Sequence, residues 1–351
     1  MDHQIDVAVL GATGAVGQRF IQLLEGHPWF RITELAASDR SAGQRYGDAA
    51  RWVLPGGPPA DIADQTVLPL DADLQARIVF SALPADIAKT VEWHLAETGH
   101  IVCTNASAYR MHEQVPILLP EINAEHARLV EVQREKFGWN GGGLVTNSNC
   151  TSVPVAMPLA PLRRFGIEAV QIVSMQAISG GGYPGVASLD IFDNVVPFVN
   201  GEEAKVEAEP RKMLGVLAGD HIESLGYAAS ATCTRVPVLD GHTVSVSVRF
   251  AQPVSEADLI AAWDTFAGPD PVPGLPSAPA QPIIYRREAD RPQPRKDRDA
   301  GGGMTSVIGR LRPDPVIGGW KFIGLSHNTV RGAAGCSILN AELLVECGYV
   351  K

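Results

Sequence analysis

The chain has 351 residues, 45% of them hydrophobic and 19% charged, with a formal net charge of −10. That length exceeds one ordinary hydrophobic core, so two domains are expected. The acidic balance argues against nucleic acid or an anionic membrane as the main partner, and no apolar run of about 20 residues exists to span a bilayer.

Residues 5–10 (IDVAVL) are short, apolar and β-branched and predict a buried strand. No basic head and apolar stretch precede it, so no secretory signal is expected. Glycines 11, 14 and 17 follow at once, and Gln18 to Leu24 carries an apolar helical stripe. Strand, glycine turn and helix in that order form the setting of a dinucleotide site. Glycine lets the backbone approach a pyrophosphate, and the helix start offers N–H donors. Gly11, Thr13, Gly14, Ala15 and Val16 are the candidates. The spacing GxxGxxG differs from the simplest fingerprint, and an ordinary strand-to-helix turn is the competing reading.

Residues 31–37 predict a second strand, ending in Ser38-Asp39-Arg40-Ser41. Asp39 suits the ribose hydroxyl of NAD, whereas Ser38, Arg40 and Ser41 suit the 2′-phosphate of NADP. The reading adopted is NADP. Strands over 77–82 and 100–104 flank a helix over 87–98, and this alternation predicts a parallel, doubly wound sheet of Rossmann type. After about residue 150 the pattern changes. Residues 168–178 and 242–250 predict longer strands, and in the second Val244, Val246, Val248 and Phe250 alternate with polar residues. Such alternation marks a sheet with one covered face, hence a second α+β domain. Residues 267–303 are dense in proline, glycine and charge and read as an irregular excursion, a lid or subunit arm. Residues 333–346 predict a helix that returns to the first domain.

Cys150 stands in Thr146-Asn-Ser-Asn-Cys-Thr-Ser152. Asn149 or Ser148 would cap a helix starting near Cys150, and Pro154 is tolerated in a first turn. A cysteine at a helix N-terminus sits in a positive field, which lowers the thiol pKa. The competing reading is a small buried hydrophobe. His242 shares parity with Val244 and faces the covered side, as an acid/base group or as a satisfied core histidine. Arg235 precedes an apolar run, and a buried Arg needs an anion, from substrate or protein. The five cysteines are scattered without a CxxC pair, and the histidines show no ligand spacing. No disulfide and no metal are expected, and a reducing cytoplasm fits.

Several blocks in order, GATGAVG (11–17), NASAYRM (105–111), SNCTS (148–152), QAISGGGYPG (176–185), GEEAK (201–205), RVPVLDGHT (235–243) and HNTVRGAAG (327–335), span nearly the whole length. In them the chain resembles aspartate-semialdehyde dehydrogenases, in the form found in archaea and fungi. The resemblance implies an NADP-dependent oxidoreductase of amino-acid biosynthesis (lysine, threonine, methionine). Such an enzyme interconverts L-aspartate 4-semialdehyde plus phosphate and 4-phospho-L-aspartate through a cysteine thioester. It implies Cys150 as nucleophile, His242 as acid/base and Gln176 as orienting group. Arg235 would clamp the substrate carboxylate and Glu202 its amino group, with Arg110 and Lys205 at the phosphate. Ser81, Gly181 and Asn328 join the cofactor set. It further implies a homodimer or homotetramer, with residues 1–149 plus 328–351 binding NADP and 150–327 carrying catalysis and subunit contact. Malonyl-CoA reductase and N-acetyl-glutamyl-phosphate reductase are the alternatives; the pair Arg235 and Glu202 reads an α-amino acid and separates them. A catalytically silent NADP-binding regulator would need no reactive thiol.

Overall fold

A computed structural model describes residues 4–350. The four strands expected in the first half form, and a fifth joins them. They are β1 (Ile5–Leu10), β2 (Phe30–Ala36), β3 (Ile78–Ser81), β4 (Ile101–Thr104) and β5 (Gly143–Thr146), with helices α1 (Ala15–Leu24), α2 (Ala85–Glu97) and α3 (Leu129–Phe137) between them. All neighbours are parallel, in the order β2-β1-β3-β4-β5. β3, β4 and β5 are buried along their whole length, as continuous apolar runs require in a sheet covered on both faces. The strand order reverses between β1 and β3, where ligands of such sheets bind. Gly11 occupies that point at φ 69°, and a Cβ there would lie 2.7 Å from the Ala82 carbonyl oxygen.

The second half contains α4 (Val153–Leu159), β6 (Ile167–Gln176), α5 (Glu202–Met213), β7 (Ala228–Arg235), β8 (His242–Phe250), α6 (Glu256–Asp264), β9 (Ile283–Arg286), β10 (Ser306–Asp314) and β11 (Gly319–Ser326). Its six-stranded mixed sheet runs β9-β10-β11-β8-β6-β7. Val244, Val246 and Val248 are fully buried and share a core with Met157, Trp263 and Phe322. The last helix, α7 (Gly335–Glu346), brings Ile338, Leu339 and Leu343 into the core of the first sheet, beside Val7, Phe80 and Ile101.

Two expectations change. Residues 267–303 are not an unpacked excursion from the fold. Val272 and Leu275 sit in the first core, Ser277 donates to Glu342 of α7, and Ile283–Arg286 adds an edge strand to the second sheet. Buried Asp297 anchors the strap by accepting from Arg291 and from the Gln293 N–H. The helix after the nucleophile starts later than expected, at Val153, and is only seven residues long. Pro158 lies inside it, and a 3-10 stretch over 160–165 continues it, because proline removes the N–H an α-helix would use.

Candidate active site

Strand register assembles the site. Gln176 and Arg235 end the parallel pair β6 and β7 as register partners, and His242 opens the antiparallel neighbour β8. Three side chains from three adjacent strands therefore meet at one end of the sheet. Cys150 reaches them from the loop beyond β5, and its Sγ lies 3.2 Å from His242 Nε2. The backbone of Ala177 serves two of the three: its N–H donates to His242 Nδ1 at 3.0 Å, and its carbonyl accepts from Arg235 at 2.8 Å. A Cβ on Gly180 would lie 2.8 Å from an Arg235 Nη and 2.9 Å from His242 Cε1, so the turn closes over both only as glycine.

Because Nδ1 accepts, the neutral ring carries its proton on Nε2, facing sulfur. Burial holds His242 neutral, down to about 3, helped by the Arg235 guanidinium and, less, by the His327 ring. Burial also pushes the Cys150 thiol up to about 12; the Glu202 charge adds to this, while Arg110 and Arg235 oppose it. The pair therefore rests uncharged. This corrects the expected low-pKa thiol. The helix begins three residues downstream, and the intervening turn is capped by Asn149, whose Oδ1 accepts from the Thr151 N–H at 2.8 Å. The dipole field falls off within a turn and loses to desolvation. In this tautomer the ring meets sulfur as a proton donor.

Glu202, 8% exposed, accepts from Asn149 Nδ2 at 2.8 and 2.9 Å, from Lys205 Nζ at 3.2 Å and from Gln176 Nε2 at 3.4 Å. Gln176 is thus held between Ser174 and Glu202, and Lys205 stays half-buried at the mouth. Arg235 is 8% exposed and has no carboxylate within 4 Å among the described residues. A buried guanidinium without a counter-charge implies an anionic ligand. Arg110 differs: it pairs with Glu209 at 3.1 Å and donates to the Asn105 carbonyl at 2.7 Å, leaving a buried Nε unpartnered.

The glycine turn enters α1 at Gly14 with no side chain capping the helix, so the first-turn N–H groups are free for a pyrophosphate. A Cβ on Gly17 would lie 2.2 Å from the Gly11 carbonyl, which fixes the tight strand-to-helix packing. Thr13, Ala15 and Val16 lie in that turn and helix start. Ser38 and Arg40 are exposed just past β2 and Ser41 is half-buried, an arrangement open to a 2′-phosphate. Gly181 is exposed with open space about it. Ser81 sits fully buried at the end of β3, with its hydroxyl donating to Glu92 at 2.6 Å. Asn328 braces the site, accepting from Gly241 N–H and donating to Ser179 Oγ, both at 2.8 Å. Among the described residues no group of three or more His, Cys, Asp and Glu side chains could hold a metal ion.

Sequence reasoning missed Ala177, Gly180, Glu209 and Gly332. A Cβ on Gly332 would lie 2.7 Å from Cys150 Cβ, so the segment preceding α7 presses directly on the nucleophile. The glycine-rich blocks carried a signal for Gly180 and Gly332, and none existed for a backbone amide.

Residues 6–130 match the family model of the semialdehyde dehydrogenase NAD-binding domain, and residues 159–331 match that of the semialdehyde dehydrogenase dimerisation domain. The aspartate-semialdehyde dehydrogenase of Archaeoglobus fulgidus is 52% identical over 341 residues, covering 97% of this chain and 98% of that one. Its counterpart in Saccharomyces cerevisiae is 40% identical, covering 96% of each chain. The crystal structure of aspartate semialdehyde dehydrogenase with NADP from Candida albicans matches with a TM-score of 0.90 at 38% identity, over 99% of this chain and 100% of that one.

Proposed function

The chain belongs to the aspartate-semialdehyde dehydrogenase family, and from that premise we propose that Cys150, His242, Gln176 and Arg235 perform its phosphorylating oxidation of aspartate semialdehyde. The activity is NADP-dependent and reversible. When bound, NADP takes the hydride from the hemithioacetal carbon and NADPH returns it in the biosynthetic direction. Gly11, Thr13, Gly14, Ala15 and Val16 hold its pyrophosphate, with Ser38, Arg40 and Ser41 at the 2′-phosphate and Gly181 toward the nicotinamide.

The Cys150 thiol gives its proton to water and its sulfur adds to the aldehyde carbon as a thiolate, and the oxyanion that forms accepts a hydrogen bond from the Nε2–H of His242. That ring proton, already aimed at the reacting sulfur, stays on nitrogen and stabilises first the thiolate and then the oxyanion, which can expel hydride without a further proton transfer. Loss of hydride leaves a thioester on Cys150. Phosphate, held by Lys205 and Arg110, attacks the thioester carbon, breaks the C–S bond and releases the acyl phosphate and the thiolate. The thioester divides one hard exchange into two easier steps. Gln176 orients the acyl group, Arg235 pairs with the substrate α-carboxylate and Glu202 with its amino group.

The observation that carries this reading is Arg235, buried beside the Cys150–His242 pair without a protein counter-charge. A CoA thioester of a dicarboxylic acid would bring no α-ammonium to Glu202, leaving it only the cationic contact with Lys205. Initial rates with aspartate semialdehyde, phosphate and NADP, against malonyl-CoA with NADPH, test it: turnover of the CoA ester alone overturns the assignment. We assign residues 1–149 with 328–351 to the cofactor and 150–327 to catalysis and subunit contact. Tyr183, Leu189, Phe192, Val195 and Phe198 form an exposed apolar run between β6 and α5, which supports a homodimer, or a pair of dimers; the scattered free cysteines favour the cytoplasm. No helix is long and apolar enough to cross a membrane among the described residues.

A further inference from the structure

Helix α5 carries four charged residues along one stripe, Glu202, Lys205, Glu209 and Lys212, at helical offsets of three, seven and ten. The first two belong to the site above. Glu209 and Lys212 are more deeply buried, at 2% and 4% exposure, and nothing in the reaction itself calls for them. Glu209 is bifunctional. One carboxylate oxygen accepts from Arg110 Nη1 at 3.1 Å, and the other accepts the backbone N–H of Asn149, the residue before the nucleophile. One turn on, Lys212 Nζ donates to the carbonyls of Arg110 at 2.7 Å, His112 at 2.8 Å and Val115 at 2.7 Å.

We propose that Glu209 is a positioning residue that sets the distance between the anion clamp Arg110 and the nucleophile Cys150, with Lys212 fixing the loop that carries the clamp. One carboxylate bonded to both partners couples them: a shift of α5 moves clamp and sulfur together, and the acyl group on sulfur stays in register with the attacking phosphate. Two donors converge on one residue from two separate chain segments. Only an ionised carboxylate accepts both, because a glutamine side chain has a single oxygen and would turn its amide donors on either Arg110 or the Asn149 N–H. The inference rests on the assignment of Arg110 to phosphate given above.

The test uses the full-length protein and the variants Glu209→Gln and Glu209→Asp. Initial rates are measured with inorganic phosphate and aspartate semialdehyde varied separately. The iodoacetamide labelling rate of Cys150 is followed against pH, NADPH binding by fluorescence titration, and Tm by thermal melting. For Glu209→Gln the expected result is a phosphate KM raised about tenfold or more, a smaller change in the semialdehyde KM, an altered Cys150 labelling profile and NADPH affinity within about twofold of wild type. Glu209→Asp keeps the charge and recovers part of the phosphate KM. A Tm shift alone, with KM values and labelling profile unchanged, overturns the proposal as a plain stability effect. If Glu209→Gln does not fold, an unchanged phosphate KM in Glu209→Asp overturns it equally. Failure of the underlying reading looks different, because the wild-type protein then shows no phosphate-dependent turnover.

Discussion

At the scale of single residues, the two arginines of the site make opposite demands. Arg235 has no counter-charge, so Arg235→Leu removes an unpaired buried cation and leaves stability unchanged or improved while raising the semialdehyde KM. Arg110→Leu strands the Glu209 carboxylate, at a cost of about 3–5 kcal/mol, and raises the phosphate KM instead. Steady-state kinetics with thermal melts separate the two; the opposite pattern of KM values would mean that the clamps are exchanged. The nucleophile gives a second expectation. Because burial holds its thiol near 12, iodoacetamide labelling of Cys150 in the free enzyme rises with pH without levelling off between pH 7 and 9. The rate grows by about tenfold per pH unit there, since only the thiolate reacts. A plateau near neutrality would show an ion pair with His242 in place of the neutral couple.

At the scale of elements, close approach decides. Gly332 lets the segment before α7 touch Cys150, so Gly332→Ala pushes the sulfur away from His242. The variant should lose about a hundredfold in kcat, the order expected for a misplacement near 1 Å, while NADPH affinity persists. Glu92 of α2 joins the ends of β3 and β4 through Ser81 and Thr104, each at 2.6 Å. Burial raises its carboxyl from the ordinary 4.5 to about 7, against the pull of those hydroxyls. The folded chain therefore takes up a proton between those values that the unfolded chain does not. The Glu92 contribution to stability falls as pH rises through that window. Glu92→Gln should gain in Tm relative to wild type on going from pH 5 to pH 8, and scanning calorimetry at both values checks the sign. Much at this scale was legible in the sequence, because strands such as 5–10 and 242–250 declare themselves by apolar runs or strict alternation. The stripe on α5 was not. Its segment EEAKVEAEPRKM looks like a solvated helix face, and only tertiary packing turns Glu209 and Lys212 inward. The ionisation of Cys150 was misread for a related reason: desolvation comes from distant chain segments, whereas a helix dipole can be guessed locally.

At the scale of the molecule, Leu189 and Phe192 stand 92% and 72% exposed, a poor arrangement for an isolated chain in water. The double variant Leu189→Lys, Phe192→Lys should sediment as a smaller species than wild type in analytical ultracentrifugation, with its secondary structure intact; an unchanged sedimentation coefficient would remove this surface from the subunit contact. The blocks that resemble known dehydrogenases foretold which segments converge, though not that the proline-rich strap would be packed into both cores. A further consequence follows from the pairing of β8 with β6. Sliding β8 by one residue would bring Thr243 to the place of His242 and turn Val244, Val246 and Val248 toward water in the same movement. Misalignment of the imidazole is thus penalised by greasy side chains far from any substrate, and the oil of the interior acts as proofreader for the chemistry at its rim.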